Sequence, residues 1–327
     1  MNKLCPVLAI VCAALLLAAG CAAPAAPAGQ PAAAVNEDES QTAKLSVYAT
    51  FYPMYDFARK IGGERVNVAN MTPAGMEPHD WEPAAVDLAA LENADVLVFN
   101  GLGMEHWVND ALAALSNEKL VAVQASSGVA PLAGIPEAEG EDGEEEGDGH
   151  EDEGEFDPHV WLDPRNVKLE MANIRDAFIS ADPEGASYYE ENYNKYAAEL
   201  DALDQEFRDT LSPLPGKDII VAHQAFAYLC AAYGLTQTPI EGLAADSEPD
   251  PARMAEIIEF AEEHEITVIF FEELVSPKVA ETIAEAVGAR TDTLNPLEGL
   301  SDEEAAAGDD YFSVMRQNLT ALAAALQ

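Results

Sequence analysis

The chain has 327 residues and carries 60 Asp and Glu residues against 16 Lys and Arg, a formal net charge of −44. Such an acidic chain is unsuited to nucleic acid, whose phosphates bind Lys and Arg, and it attracts cations instead. Hydrophobic residues make up 49% of the sequence, and the length allows two domains or one large one.

The first 20 residues indicate a secretory signal that ends at a lipidation site. A positive start at Lys3 precedes an apolar run that is too short for a comfortable permanent membrane span. The run ends in Leu17-Ala-Ala-Gly-Cys21, which resembles a bacterial lipobox and implies cleavage before Cys21 and diacylation of its thiol. An ordinary secretory signal with an incidental Cys is the alternative. We predict a disordered tether over residues 21–43, and hence a lipid-anchored, extracytoplasmic protein.

Strands alternate with helices in two series from residue 44 onward. Strands are predicted at 44–50, 65–72, 95–100, 120–124, 217–222, 236–241, 266–271 and 290–294. Helices are predicted at 53–61, 84–93, 105–115, 166–180, 184–211, 225–233, 250–264, 277–287 and 310–326. This alternation predicts an α/β fold of two lobes with mostly parallel sheets.

The helix predicted at 184–211 has apolar or aromatic residues three or four positions apart, from Tyr189 to Phe207. It would span about 40 Å, longer than one small domain, and we expect it to join the lobes as a rigid strut. The alternative is a surface helix of one domain. The predicted lobes are then residues 44–183 and residues 212–327.

Residues 136–155 interrupt the first lobe with twelve acidic residues, five glycines and His150. This segment has no core-forming residues, so we predict a mobile acidic loop. It acts either as a solubilising charge run or, through His150, in auxiliary metal capture. Cys230, the one Cys of the predicted mature fold, lies on an apolar helical face and is expected to be buried.

Four side chains are the candidate ligands of a metal site in the cleft between the lobes. His79 follows the second strand, His159 begins the crossover, His223 follows a strand of the second series, and Glu298 lies beyond the last strand. Ligands of open α/β sheets bind outside the carboxyl ends of strands. Three imidazoles and a carboxylate suit tetrahedral Zn²⁺, although other divalent ions stay open because no local motif fixes the site.

Two other histidines are excluded from this candidate site. His264 sits in a polar helix tail and is predicted to be a solvated surface residue. His106 starts a helix beside Trp107, and we expect it at the rim of the cleft at most.

Several motifs resemble the solute-binding proteins of bacterial zinc and manganese ABC importers, the cluster A-I or TroA-like proteins. These motifs are Glu77-Pro-His-Asp-Trp-Glu-Pro, Asn100-Gly-Leu-Gly-Met-Glu-His-Trp, Asp157-Pro-His-Val-Trp-Leu-Asp-Pro, Ala222-His-Gln-Ala-Phe-Ala-Tyr, Phe271-Glu-Glu-Leu-Val-Ser-Pro-Lys and Leu294-Asn-Pro-Leu-Glu-Gly-Leu. The resemblance covers essentially the whole region from Val47 to Leu326. It implies two α/β lobes joined by a long helix, with metal in the cleft.

The resemblance also implies roles for individual residues. The first three ligand positions fall on His79, His159 and His223, and the fourth position of zinc-type members falls on Glu298. A His at the third position is typical of zinc-type members, whereas manganese-type members usually have Glu there. The family's loop before the second ligand is often rich in His, but here it holds only His150, and Cys230 alone cannot form the disulfide that some zinc-type members carry.

The function implied is capture of Zn²⁺ and its delivery to an ABC importer permease by a monomeric, membrane-anchored protein that is not an enzyme. A manganese- or iron-binding importer protein of the same fold is the alternative. A zinc hydrolase, with Glu77 as the nearest candidate base, and a surface adhesin are less favoured.

Overall fold

A computed structural model describes residues 44–134, 156–243 and 251–327. The predicted signal segment, Cys21, the tether up to residue 43 and the acidic loop with His150 lie outside these ranges. The predictions for those segments therefore stay predictions. No helix within the described ranges is both long enough and apolar enough to cross a membrane.

The first lobe is built on a four-stranded sheet in which every neighbouring pair of strands is parallel. Its strands are β1 (Leu45–Ala49), β2 (Val66–Asn70), β3 (Val96–Phe99) and β4 (Val121–Gln124). The helices of this half are α1 (Tyr52–Gly62), α2 (Ala85–Leu91), α3 (Val108–Ala114) and α4 (Pro164–Ala181). The strand order β2-β1-β3-β4 places a topological switch point between β1 and β3.

The second lobe repeats this plan with the order β6-β5-β7-β8, again with all pairs parallel. Its strands are β5 (Asp218–Val221), β6 (Thr236–Pro239), β7 (Val268–Phe271) and β8 (Arg290–Thr293). Its helices are α6 (Ala227–Tyr233), α7 (Pro251–Glu263), α8 (Lys278–Val287), α9 (Asp302–Ala307) and α10 (Tyr311–Ala325). The switch point of this sheet lies between β5 and β7.

Helix α5 (Ala186–Leu211) runs along elements of both lobes. It packs against α1 and α4 of the first half and against α6 and α10 of the second. Its 26 residues correspond to a length of about 39 Å. The helix therefore matches the predicted strut, beginning two residues later than expected.

One hydrophobic core contains residues from both halves. Phe51 and Met54 of the first half and Phe226 and Phe270 of the second belong to the same buried cluster. Two smaller clusters lie apart from it, one around Trp81 and Trp107 in the first half and another in the second half. A shared core couples the two sheets more tightly than a polar interdomain contact would.

The predicted fold class is confirmed, with strand and helix ends shifted by at most three residues. Helix α9 was missed, because its sequence Asp-Glu-Glu-Ala-Ala-Ala has no apolar stripe. The available signal was the capping box of Ser301 and Glu304, in which each side chain bonds the other's backbone N–H. The predicted lobe boundaries remain predictions.

Candidate metal centre

The fold brings His79, His159, His223 and Glu298 together from four loops that are far apart in sequence. One ligand atom from each residue lies within 4.8 Å of the others. His159, His223 and Glu298 are buried, whereas the His79 side chain keeps 12% of its surface exposed. The predicted group is therefore assembled in space, with His79 on its open side.

The distances between donor atoms fit a tetrahedral metal. The Nε2 atom of His159 lies 3.2 Å from His79 Nε2, 3.3 Å from His223 Nε2 and 2.9 Å from Glu298 Oε1. Glu298 Oε1 lies 3.2 Å from His223 Nε2 and 3.5 Å from His79 Nε2. Ligands about 2.0–2.2 Å from a tetrahedral Zn²⁺ would be about 3.3–3.6 Å apart. Four of these five distances lie within about 0.1 Å of that range, and the fifth, the 2.9 Å between His159 and Glu298, is shorter.

Asp157 holds His159 in the orientation that the site needs. Its Oδ1 accepts a hydrogen bond from the backbone N of His159 and lies 2.8 Å from Nδ1 of the ring. The Nδ1–H donated to this carboxylate leaves Nε2 as the free electron-pair donor. This carboxylate–histidine arrangement is the usual support for a metal ligand.

Glu272 does the same for His223 at the switch point of the second sheet. Residue 223 follows β5 by two positions and residue 272 follows β7 directly, so the carboxyl ends of adjacent strands bring them together. The two oxygens of Glu272 lie 2.8 and 2.9 Å from His223 Nδ1. Nε2 of His223 is thereby directed toward the other three donors.

The loop that carries Glu298 is fixed by hydrogen bonds between its backbone and two asparagine side chains. Leu297 has φ of 62°, a left-handed conformation that a residue with a bulky side chain rarely adopts. Its N–H donates to Oδ1 of Asn295 over 2.6 Å, and Asn318 bonds both the N–H and the carbonyl of Asn295. The strained turn presents Glu298 to the site.

Trp161 links this loop to the segment of His159. Its indole Nε1 donates to the carbonyl of Pro296 over 2.7 Å, and its ring lies 5.3 Å from the imidazole of His159. The Tyr311 hydroxyl in turn donates to the carbonyl of Trp161. The second and fourth predicted ligands are therefore held by one connected set of contacts.

The charges of the four groups respond to burial and to one another. Burial raises the pKa of Glu298, but the imidazoles, led by His223, hold this pKa well below its ordinary value. Burial lowers the pKa of His159, yet Asp157 and Glu298 raise it to about 8. Burial lowers the pKa of His223, but Glu272 and Glu298 outweigh this effect and hold the pKa well above its ordinary value. Burial lowers the pKa of His79.

Glu77, the candidate base of a hydrolase, lies beside the cluster. Burial, and then the charge of Glu298, raise the pKa of Glu77 to about 8. One of its carboxylate oxygens accepts a hydrogen bond from the backbone N of His79. Its oxygens are not among the group of donors that converge on the site.

The structure also locates the other residues for which the sequence made predictions. His106 pairs with Glu82 at 3.3 Å outside the cluster, and His264 pairs with Asp218 on the surface. Cys230 is buried and unpaired. Sequence reasoning missed the supporting contacts of Asp157 and Glu272, although their placement next to a ligand and directly after a strand was a usable signal.

Residues 47–325 match the family model described as zinc-uptake complex component A, periplasmic. The chain belongs to this family. It is 41% identical over 285 residues to the high-affinity zinc uptake system protein ZnuA of Bacillus subtilis, covering 87% of this chain and 88% of that protein. It is 40% identical over 291 residues to the zinc-binding lipoprotein AdcA of Streptococcus pneumoniae, covering 88% of this chain but 57% of that protein.

The solved structures of other members of the zinc-uptake complex component A family include the Zn(II)-bound ZnuA-like domain of Streptococcus pneumoniae AdcA. Its sequence is 37% identical to this chain, and the two structures superimpose with a TM-score of 0.74. The match covers 86% of this chain and 99% of the AdcA domain. The names of these relatives describe zinc uptake and zinc binding. The chain thus shares the fold of a zinc-bound relative over 86% of its length.

Proposed function

We propose that this protein is an extracytoplasmic zinc-binding protein, which captures Zn²⁺ and delivers it to the permease of an ABC importer. The observation that carries the proposal is the tetrahedral spacing of the four donors of His79, His159, His223 and Glu298. Membership in the zinc-uptake family supports the same function. Zn²⁺ is here the cargo of the protein.

The donor set supports zinc over manganese. Imidazole nitrogen is a favourable ligand for Zn²⁺, whereas Mn²⁺ prefers carboxylate, carbonyl and water oxygens. Three of the four donors are nitrogens, and the two buried imidazoles each have a carboxylate on their second nitrogen. The importer protein for manganese or iron is accordingly the less favoured candidate.

Four protein donors argue for binding rather than catalysis. A catalytic zinc site keeps one position open for water, while a closed tetrahedral set does not. Glu77 would be the base of a hydrolase, but its oxygen accepts a backbone hydrogen bond beside the site. No specific feature of the described residues favours a hydrolase or a surface adhesin.

The place of action follows from the predicted N-terminal segment and from the family. Diacylation of Cys21 would anchor the protein to the outer side of the cell membrane, from where it would meet its permease as a monomer. Two of the relatives, from Streptococcus pneumoniae and from Bacillus subtilis, are named as lipoproteins. Mass spectrometry of the mature protein would show a diacylated Cys21, and an unmodified N-terminus would contradict the anchor.

Metal analysis of the purified protein tests the function and the ligand set together. We expect about one zinc per chain in the native protein, and loss or strong weakening of binding in His159→Ala and Glu298→Ala. His264→Ala, which changes an exposed imidazole, serves as the control and should bind like the native chain. Full zinc retention by His159→Ala would overturn the site, and preferential binding of Mn²⁺ in competition would overturn the choice of metal.

A further inference from the structure

His79 differs from the other predicted histidine ligands in how it is held. It lies in the stretch from Pro73 to Ala84, which connects β2 to α2 without regular secondary structure. Its side chain is the most exposed of the four, with 12% of its surface accessible against 2% for Glu298 and 0% for His159 and His223. Contacts elsewhere in the same loop therefore contribute to its position.

The loop is fixed to the fold at two buried residues, Pro78 and Trp81, while its other residues are exposed or partly exposed. Trp81 is 8% exposed and lies two residues after His79. Its ring meets the ring of Trp107 edge to face, with the centroids 5.4 Å apart. Both rings belong to the smaller hydrophobic cluster of the first lobe, apart from the shared core.

The segment that carries Trp107 is itself held by hydrogen bonds to the ends of the central strands. Trp107 immediately precedes α3, and the loop before it is held by the partly buried carboxylate of Glu105. That carboxylate accepts hydrogen bonds from the Thr50 hydroxyl and from the backbone N–H groups of Asn100 and Gly101. These partners lie just after β1 and β3, at the switch point of the first sheet. Trp107 is thus connected to the central strands of its lobe.

We propose that Trp107 is a positioning residue for zinc retention, which acts by holding Trp81 and thereby the His79 imidazole toward the site. This inference rests on the proposed function, since it takes His79 as a ligand. Loss of the ring contact would leave the three buried donors in place and give the His79 loop more freedom. The expected result is faster zinc release rather than loss of the site.

A second link joins the same two segments. Glu82 and His106, the neighbours of the two tryptophans, pair at 3.3 Å with side chains 73% and 35% exposed. Exposed pairs of this kind contribute little to stability. The ring contact, being buried, is the link that controls the loop, and Glu82→Ala should leave the zinc release rate within about twofold of the native value.

The test is the rate at which zinc-loaded protein releases Zn²⁺ to an excess of fluorescent chelator in a stopped-flow experiment. Trp107→Leu keeps an apolar side chain but removes the ring, and we expect release to become about fivefold to tenfold faster. Trp107→Phe keeps a ring edge and should recover most of the native rate. Leu112→Ala, in the same hydrophobic cluster, controls for a general loss of stability and should release zinc at the native rate.

A double-mutant cycle with His79→Ala shows whether Trp107 acts through this ligand. In the His79→Ala background, Trp107→Leu should cause no further change in the release rate or, where release is too fast to follow, in the competitive zinc affinity. A native release rate in Trp107→Leu, or an equal effect of that substitution with and without His79, would overturn the inference. If His79→Ala alone left release unchanged, the proposed ligand set would fail instead.

Discussion

Asp157 Oδ1 lies 2.8 Å from Nδ1 of His159, whereas Asp163, the other acidic residue flanking this histidine in sequence, directs its carboxylate elsewhere. Asp163 caps α4 and pairs with Arg165. Two carboxylates that look equivalent in the sequence therefore do different things. One orients a predicted zinc ligand and the other begins a helix.

This difference predicts that only one of two matched substitutions lowers the zinc affinity. Asp157→Asn removes the negative charge that makes His159 a stronger donor, so zinc affinity should fall by about tenfold to a hundredfold. Asp163→Asn weakens a side-chain ion pair and should leave zinc affinity unchanged. Competition against a chelator of known affinity measures both. Equal losses in the two variants would show that the Asp157 contact has no special importance.

Zinc affinity is expected to decrease in acid, beginning near pH 8. Burial lowers the pKa of His159, but Asp157 and Glu298 raise the pKa to about 8, so this imidazole holds a proton below that pH in the metal-free protein. Zn²⁺ must displace the proton, which costs up to about tenfold in apparent affinity per pH unit for each proton released. Calorimetry at pH 6, 7 and 8 in buffers of different ionisation enthalpy would count the protons. Binding without proton release would contradict the expectation.

The alternation of strands and helices was predictable because parallel strands buried on both faces give short apolar runs such as Val96 to Phe99. The ligand residues could be located at strand ends, but spacing alone was too weak a signal to establish that they converge. Glu272 shows how far the site can be predicted from the sequence. It and Glu273 are neighbours in sequence, and only the direction of the chain after β7 decides that Glu272 is buried against His223 while Glu273 is exposed.

The shared core predicts a small structural change on zinc binding. Trp161 of the first half donates its indole N–H to the carbonyl of Pro296 in the second half, and its own carbonyl accepts a hydrogen bond from the hydroxyl of Tyr311 in the second half; opening the lobes widely would break both contacts. Local movement of the His79 loop requires no such loss. Small-angle scattering of the metal-free and zinc-bound protein should therefore give closely similar profiles. A large compaction on binding would refute this prediction.

Glu170 in α4 predicts a separate effect of pH on stability. Its side chain is fully buried, and neither carboxylate oxygen has a hydrogen-bond partner among the described residues. Burial, and then the charge of Glu105, raise the pKa of Glu170 to about 8 from an ordinary value of 4.5. The folded protein therefore keeps this proton over a range in which the unfolded chain releases it.

The sign follows from proton linkage. Between about pH 4.5 and pH 8 the folded state binds more protons at Glu170 than the unfolded state. As the pH rises through this range, Glu170 therefore lowers the free energy of unfolding by up to about 1.4 kcal/mol for each pH unit. Glu170→Gln removes the group, so the variant should gain stability relative to the native chain as pH rises from 5 to 8. Urea unfolding of the metal-free proteins across this range measures the difference. Glu191→Gln, on the exposed surface of α5, is the matched control and should follow the native chain. A constant difference between native protein and Glu170→Gln at every pH would show that Glu170 is ionised in the folded state.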